Sequence, residues 1–212
     1  MSTQAKFITF EGGEGAGKST QIAYLAERLQ QHGHSVCVTR EPGGTAEAEE
    51  IRAILTTGEP AKWDPLAETL LHLAARRQHL ARKILPSLDR GEWVLCDRFY
   101  DSTRAYQGSG QGVAPDLIER LHEPVLDGVH PALTILLDID PLAGLARAQA
   151  RGENARYEQW PAERHAAIRS AFLDIANREP ERCYVLDASQ SADEIWERIW
   201  ERVQTRFAEY FP

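Results

Sequence analysis

An α/β fold, with a parallel sheet covered by helices on both faces, is the architecture that this 212-residue sequence predicts. Two observations carry it. Short continuous apolar runs of strand length alternate with longer stretches of helical pattern, as strands buried on both sides by crossover helices require. The first run leads straight into Gly12-Gly13-Glu14-Gly15-Ala16-Gly17-Lys18-Ser19-Thr20, which fits G-x-x-x-x-G-K-[ST].

Taken in order, the first strand is Phe7–Phe10. The loop after it is glycine-rich because successive amides must turn inward onto phosphate oxygens, a turn that glycine makes at positive φ without a Cβ clash. The helix Lys18–Gln31 aims its positive end at the anion, Lys18 reaches the β and γ oxygens, and Ser19 offers Mg²⁺ a ligand. This loop binds a nucleoside triphosphate. Gly33 stops the helix, and Ser35–Thr39 is the second strand. It runs into Arg40-Glu41-Pro42-Gly43-Gly44-Thr45, where the glycines permit an unusual turn and Pro42 suits a cis bond. On spacing alone this block reads equally as a tight connection to the next helix.

Helical patterns cover Thr45–Thr56 and Asp64–Leu88. The second contains Ala74-Ala75-Arg76, and His72 lies four residues before Arg76, on the same helix face. The third strand, Trp93–Asp97, ends in Asp97-Arg98. A carboxylate at such a strand end faces Mg²⁺ directly or through water, and an adjacent arginine offers a planar fork to phosphate oxygens. Helices Pro115–Leu126, Pro141–Arg151, Pro161–Asn177 and Ala192–Phe207 alternate with strands Leu133–Asp138 and Tyr184–Asp187. Pro115, Pro141 and Pro161 are placed as first-turn prolines, Asp140 and Ser191 as N-caps. The stripe Ile195, Trp196, Ile199, Trp200, Val203, Phe207 packs on the sheet. Arg147, Arg151 and Arg156, with Gly152 and Glu158, read as a helix end entering a mobile loop whose cations close over a transferring phosphoryl group. A solvated charge run fits the same pattern.

Composition narrows the class. Apolar and charged fractions of 42% and 26% are those of an ordinary globular domain. No apolar run approaches the ~20 residues that cross a bilayer, and the first residues lack a signal-peptide pattern, so membrane partners are not expected and the cytoplasm is the expected compartment. A net charge of −8 without any basic run argues against nucleic acid as a partner. Cys37, Cys96 and Cys183 are far apart and lie in or at the start of strand-like runs, as small buried hydrophobes do. No N-K-x-D element marks a guanine-specific switch, and the protein-kinase set V-A-I-K, H-R-D, D-F-G is absent.

Together, Phe10-Glu11-Gly12 through Thr20, Arg40-Glu41-Pro42-Gly43-Gly44-Thr45, Ala74-Ala75-Arg76, Asp97-Arg98-Phe99 and Ala105-Tyr106-Gln107-Gly108 resemble the bacterial thymidylate kinases, in matching order over nearly the whole chain. The resemblance implies a P-loop nucleoside-monophosphate-kinase-like fold. That fold has a five-stranded parallel sheet of order 2-3-1-4-5 flanked by helices, in one domain over residues 1–212 with a lid at about 151–158. It implies a homodimer that transfers the γ-phosphate of MgATP to dTMP in dTTP biosynthesis. Carried over by match, Gly12, Gly13, Glu14, Gly15, Ala16, Gly17, Lys18, Ser19 and Thr20 hold ATP, and Ser19 and Asp97 serve Mg²⁺. Glu14 faces the deoxyribose 3′-OH, Arg76 and Arg98 clamp the dTMP phosphate, Tyr106 lies against the sugar, and Thr103 and Gln107 approach the thymine. Glu41, Pro42 and His72 complete the dTMP site, and Asp187-Ala188-Ser189 matches the loop beside adenine. Lys18, Arg98, Arg151 and Arg156 are the catalytic cations.

Three positions depart from the family pattern. Where some members place an arginine in the P-loop this chain has Gly15, so the lid arginines must supply that charge. His72 replaces the Phe or Met that stacks on thymine, bringing a smaller, titratable ring; a one-residue shift would put Leu73 there instead. Ala155 replaces a lid Asp. Two rival readings stay open. A deoxynucleoside kinase would use Glu41 as general base, and a P-loop ATPase switch would need no acceptor site.

Overall fold

The computed structural model describes residues 6–150 and 156–211. Among them, five strands form one parallel sheet in the order β2-β3-β1-β4-β5, with β1 at Phe7–Glu11, β2 at Val36–Arg40, β3 at Trp93–Asp97, β4 at Leu133–Asp138 and β5 at Cys183–Asp187. The expected order and the parallel sense both hold. The three inner strands are buried almost throughout, whereas the edge strands β2 and β5 leave Val38 and Val185 exposed. Along β1 side chains alternate between faces. Ile8 and Phe10 pack under α1 (Lys18–Gln31) and α9 (Ala192–Arg206), while Phe7 joins the opposite cluster with Leu80, Ile84 and Phe99. The aromatic stripe of α9 lies in the first of these cores, as its spacing predicts.

Caps follow the expected chemistry. Asp140 Oδ1 accepts from the amides of Leu142 and Ala143 at 3.0 and 3.1 Å, opening α7 (Pro141–Ala150). Ser191 and Glu194 form a reciprocal capping box at α9. Pro161 stands one place earlier than expected, as the N-cap of α8 (Ala162–Arg178) rather than inside its first turn. Strand β2 likewise begins and ends one residue later than its sequence estimate.

Two elements differ more. The single helix expected over 64–88 is α3 (Pro65–His79), a wide turn at Leu80–Ile84 in which the Leu85 amide reaches Leu80 O, and α4 (Leu85–Asp89). Pro86 is the reason: it has no N–H for the carbonyl one turn back, so the ladder opens just before it. The stretch after β3, assigned no element from sequence, is helical: α5 (Tyr100–Thr103) continues into a second wide turn, Arg104–Ser109. The remaining helices are α2 (Ala46–Thr56) and α6 (Pro115–Leu126). Cys96 and Cys183 are buried, Cys37 is half-buried, and all three are free thiols. Among the described residues, no helix is long and apolar enough to cross a membrane.

Candidate active site

β1 pairs in parallel with β3 on one side and β4 on the other, so successive strands are added on opposite sides of β1 and the crevice opens at its carboxyl end. Ligands of open parallel sheets sit at that point. The glycine loop occupies it and opens α1 with Gly17 in the left-handed region, at φ 92°. Lys18 Nζ lies back over the loop, donating to Gly13 O at 2.9 Å and Gly12 O at 3.3 Å. Burial and the Arg98 charge lower its pKa. Ser19 Oγ donates to Asp97 Oδ2 at 3.2 Å, because Asp97 is paired with Phe10 in the sheet register. Gly15 backs onto α7: a Cβ there would collide with the carbonyl oxygen of Gly144, and its φ is +66°. That contact closes position 15 to a side chain, and so to the P-loop arginine that the resemblance allows there.

Arg98 follows β3 with φ 68°, a left-handed backbone that costs a non-glycine residue roughly 1–2 kcal/mol. Its amide is held by Phe10 O at 2.9 Å. The guanidinium is held from two sides, by Glu14 Oε1 at 3.0 Å and Ser102 Oγ at 3.1 Å, and lies 4.9 Å from the Tyr106 ring centre. Tyr106 OH also donates to Glu14 Oε1, at 2.8 Å. Burial alone would raise the Glu14 pKa, but Arg98 and Lys18 bring it down to about 2, so this carboxylate is charged throughout the physiological range.

Glu11, overlooked as a site residue, fixes this corner. It is 1% exposed and accepts from Phe99 N at 2.7 Å and Ser102 Oγ at 2.6 Å, which leaves the Ser102 oxygen to face Arg98. Burial, with the Asp101 charge second, raises its pKa to about 7. A raised carboxyl contributes stability below its ordinary 4.5 and loses it as pH rises through about 7. The Tm of Glu11→Gln relative to the natural chain should therefore increase between pH 6 and 8. A pH-independent difference in thermal unfolding would contradict this.

Beside the loop lies a second cavity, whose empty space together with its open mouth is about 640 Å³. Of the expected dTMP-site residues it gathers all nine: Glu14, Glu41, Pro42, His72, Arg76, Arg98, Thr103, Tyr106 and Gln107. His72, not Leu73, faces it. The Glu41–Pro42 bond is cis. Arg76 is almost wholly committed: Nε to Glu41 Oε2 at 2.7 Å, Nη1 to Thr103 Oγ1 at 3.1 Å and His122 Nε2 at 3.0 Å, and Nη2 to Phe99 O at 3.0 Å. One Nη2 hydrogen is left for a ligand, too few for the forked phosphate clamp expected of it. The other oxygen of Glu41 meets His79 Nδ1 at 3.1 Å, so both are engaged. His79 is itself pressed against Gly44, where a Cβ would strike its ring. The glycine loop's cavity shares Glu14, Glu41, Arg52 and Arg98 with this one. Arg52, on α2, was missed from sequence; it donates to Pro42 O at 2.8 Å, and burial lowers its pKa, with the Arg40 charge second.

The expectation for Arg156 is corrected. It is 1% exposed, with Nε on Leu55 O at 2.8 Å, Nη1 on Pro60 O at 3.1 Å and Nη2 on Glu68 Oε2. A guanidinium spent in this way is a pillar between the segment after α7 and helices α2 and α3, not a cation for a phosphate. Arg156→Met should cost about 3–5 kcal/mol by leaving buried Glu68 unpaired, read by urea unfolding; a loss under about 1 kcal/mol would contradict the buried pair. Arg151 and Ala155 lie outside the described residues.

The thymidylate kinase family model matches residues 10–199 of the chain. Thymidylate kinase of Caulobacter vibrioides is 54% identical over 193 residues, covering 91% of this chain and 93% of that protein. The Deinococcus radiodurans thymidylate kinase is 47% identical, covering 91% and 93%. A crystal structure of thymidylate kinase from Ehrlichia chaffeensis superposes with a TM-score of 0.76 at 37% identity, covering 93% of this chain and 98% of that one. The family match spans the glycine loop, the Asp97-Arg98 corner and the residues of the second cavity, and the chain belongs to the thymidylate kinase family.

Proposed function

We infer that the enzyme transfers the γ-phosphoryl group of ATP to dTMP, giving ADP and dTDP. One observation carries the reading: a phosphate-binding loop and a second cavity, lined by the residues expected around dTMP, meet at a shared wall of Glu14, Glu41, Arg52 and Arg98. The acceptor phosphate has a second pKa near ~6 and is mostly a dianion at neutral pH, so it attacks without a general base. What it needs is relief of anion–anion repulsion and in-line alignment. Lys18 and the loop amides hold the donor's β and γ oxygens. Arg98, fixed by Glu14 and Ser102, faces the acceptor phosphate. Arg151 is our proposed lid cation. We assign Tyr106 and Glu14 to the sugar and Thr103 and Gln107 to the base; all four line the second cavity together with Arg76.

We propose Mg²⁺ at Ser19 and Asp97, two hard oxygens 3.2 Å apart, since this ion takes few protein ligands beside phosphates and water. When bound, it supplies charge neutralisation on the donor's phosphates. We further propose one domain over the whole chain, a cytoplasmic location where both nucleotides are made and used, and a homodimer; exposed Ile54, Leu66 and Leu70 on α2 and α3 offer an apolar face for it.

A nucleoside kinase is disfavoured because Glu41, its only proposed base, has both oxygens tied to Arg76 and His79. A coupled ADP-release assay over nucleoside monophosphates and thymidine tests the reading. Turnover with dTMP and none with thymidine is expected; turnover with thymidine alone would replace it, and ADP formation indifferent to either would favour the switch.

A further inference from the structure

Glu11 and Ser102 meet behind Arg98 in a hydrogen bond that can run in either direction. Glu11 Oε1 accepts from the Phe99 amide at 2.7 Å, and that amide can only donate. A proton taken up by this carboxyl therefore goes on Oε2, the oxygen 2.6 Å from Ser102 Oγ. The serine hydroxyl has one hydrogen and two lone pairs, and Arg98 Nη1 donates to one of the lone pairs at 3.1 Å. While Glu11 is ionised, the serine hydrogen is committed to Oε2. Once Oε2 is protonated it donates instead, both lone pairs of Ser102 are filled, and the serine hydrogen is released. Glu11 is the sole acceptor that meets Ser102 Oγ among the described residues. Ser102 lines the second cavity together with Arg98, the cation assigned to the acceptor phosphate.

The surroundings single out Glu11 for this exchange. Asp101, beside it, is held on both oxygens by Arg182 at 2.7 and 2.9 Å and on one by Arg104 at 3.1 Å, whereas Glu11 has no ion pair among the described residues. The charged groups that face Glu11 among those residues are Asp101 from α5, Lys18 from the first turn of α1 and Arg98 beyond β3. Two thiols also face it, Cys96 of β3 and Cys183 of β5, and burial keeps both neutral. With its pKa already raised to about 7, the carboxyl needs only the approach of a phosphate dianion to take and keep a proton.

We propose that Ser102 is a further acceptor-site residue, whose hydroxyl donates to the dTMP phosphate after Glu11, its positioning residue, takes one proton from solvent as dTMP binds. The proposal rests on the second cavity being the dTMP site. The proton bonds to Glu11 Oε2, and the serine keeps its own hydrogen, turning it from that oxygen to a phosphate oxygen. The exchange gives the acceptor phosphate a neutral donor beside the Arg98 guanidinium. It also removes one negative charge from the corner where two anionic phosphates have to meet.

Calorimetric titration with dTMP at pH 8, in two buffers of different ionisation enthalpy, counts the protons exchanged on binding. The free phosphate is already a dianion there, its second pKa being about 6, so any proton taken up belongs to the protein. The natural enzyme should take up about half a proton or more, and its Kd for dTMP should rise about tenfold from pH 7 to 8.5. In Glu11→Gln the Phe99 amide holds the side-chain oxygen, which puts an N–H where the Oε2 proton would be. That variant should show no uptake and a level Kd over the same range, and Ser102→Ala should lose most of the uptake. Absence of uptake by the natural enzyme would overturn the proposal, and that measurement needs no variant to fold. Equal uptake in Glu11→Gln would overturn it by placing the proton elsewhere. Undiminished uptake in Ser102→Ala would overturn it by leaving repulsion through space as the cause. Each of these results leaves the dTMP site standing. Failure of the natural enzyme to bind dTMP at all would instead remove the site reading, and the proposal with it.

Discussion

Lys18→Ala is expected to lower kcat by at least about 10²–10³-fold, the cost of removing one preorganised donor from developing charge. The ammonium sits against Gly12 O and Gly13 O in the loop that surrounds the donor's phosphates. Its place is fixed by the loop and by the first turn of α1, so little reorganisation is needed when negative charge shifts during transfer. Because the interaction strengthens toward the transition state, kcat should fall more than either KM rises. Steady-state kinetics with both substrates varied reads this directly. A variant that raises KM for ATP at unchanged kcat would assign Lys18 to uniform binding.

Arg98→Ala is expected to raise KM for dTMP by about hundredfold, as loss of a charge-assisted forked contact does, with KM for ATP changed by less than about threefold. The residue stands on the wall between the two cavities, and its side chain is gripped by Glu14 and Ser102 on the acceptor side. Glu14 would also lose the charge that holds its carboxyl down near 2, so the corner is weakened twice. Isothermal titration with each nucleotide separates the effects. Equal loss of both ligands would make Arg98 a support of the corner rather than an acceptor contact.

What the sequence made legible was local. The glycine loop, the carboxyl ends of β3, β4 and β5 and the Asp140 and Ser191 caps are set by neighbours a few residues away, and all fall where their spacing puts them. Arg156 was misread for the opposite reason. Beside a glycine-bearing charged stretch it looks solvated, yet its partner Glu68 is 88 residues distant, and no local pattern announces a buried pair. Arg52 was passed over because one arginine on an amphipathic helix reads as surface until α2 is folded against Pro42. The helical stretch at 100–109 was hidden by its wide turn, in which the Gly110 amide reaches back five residues to Ala105 O and takes Tyr106 and Gln107 off the regular helical period. His72 lines the cavity, but its ring does not offer the ready titration expected of an imidazole: burial, with the surrounding arginine charges second, pushes its pKa down to about 3.

The central claim is that two anionic nucleotides lie end to end across the wall made by Glu14 and Arg98. Calorimetric titration with a single molecule joining adenosine to thymidine through five phosphates tests this most directly. One ligand filling both cavities should bind at least about hundredfold more tightly than ATP or dTMP alone, as linked sites of matching span do, and Arg98→Ala should erase most of that gain. Binding no tighter than ATP alone, with the thymidine end contributing nothing, would contradict the account.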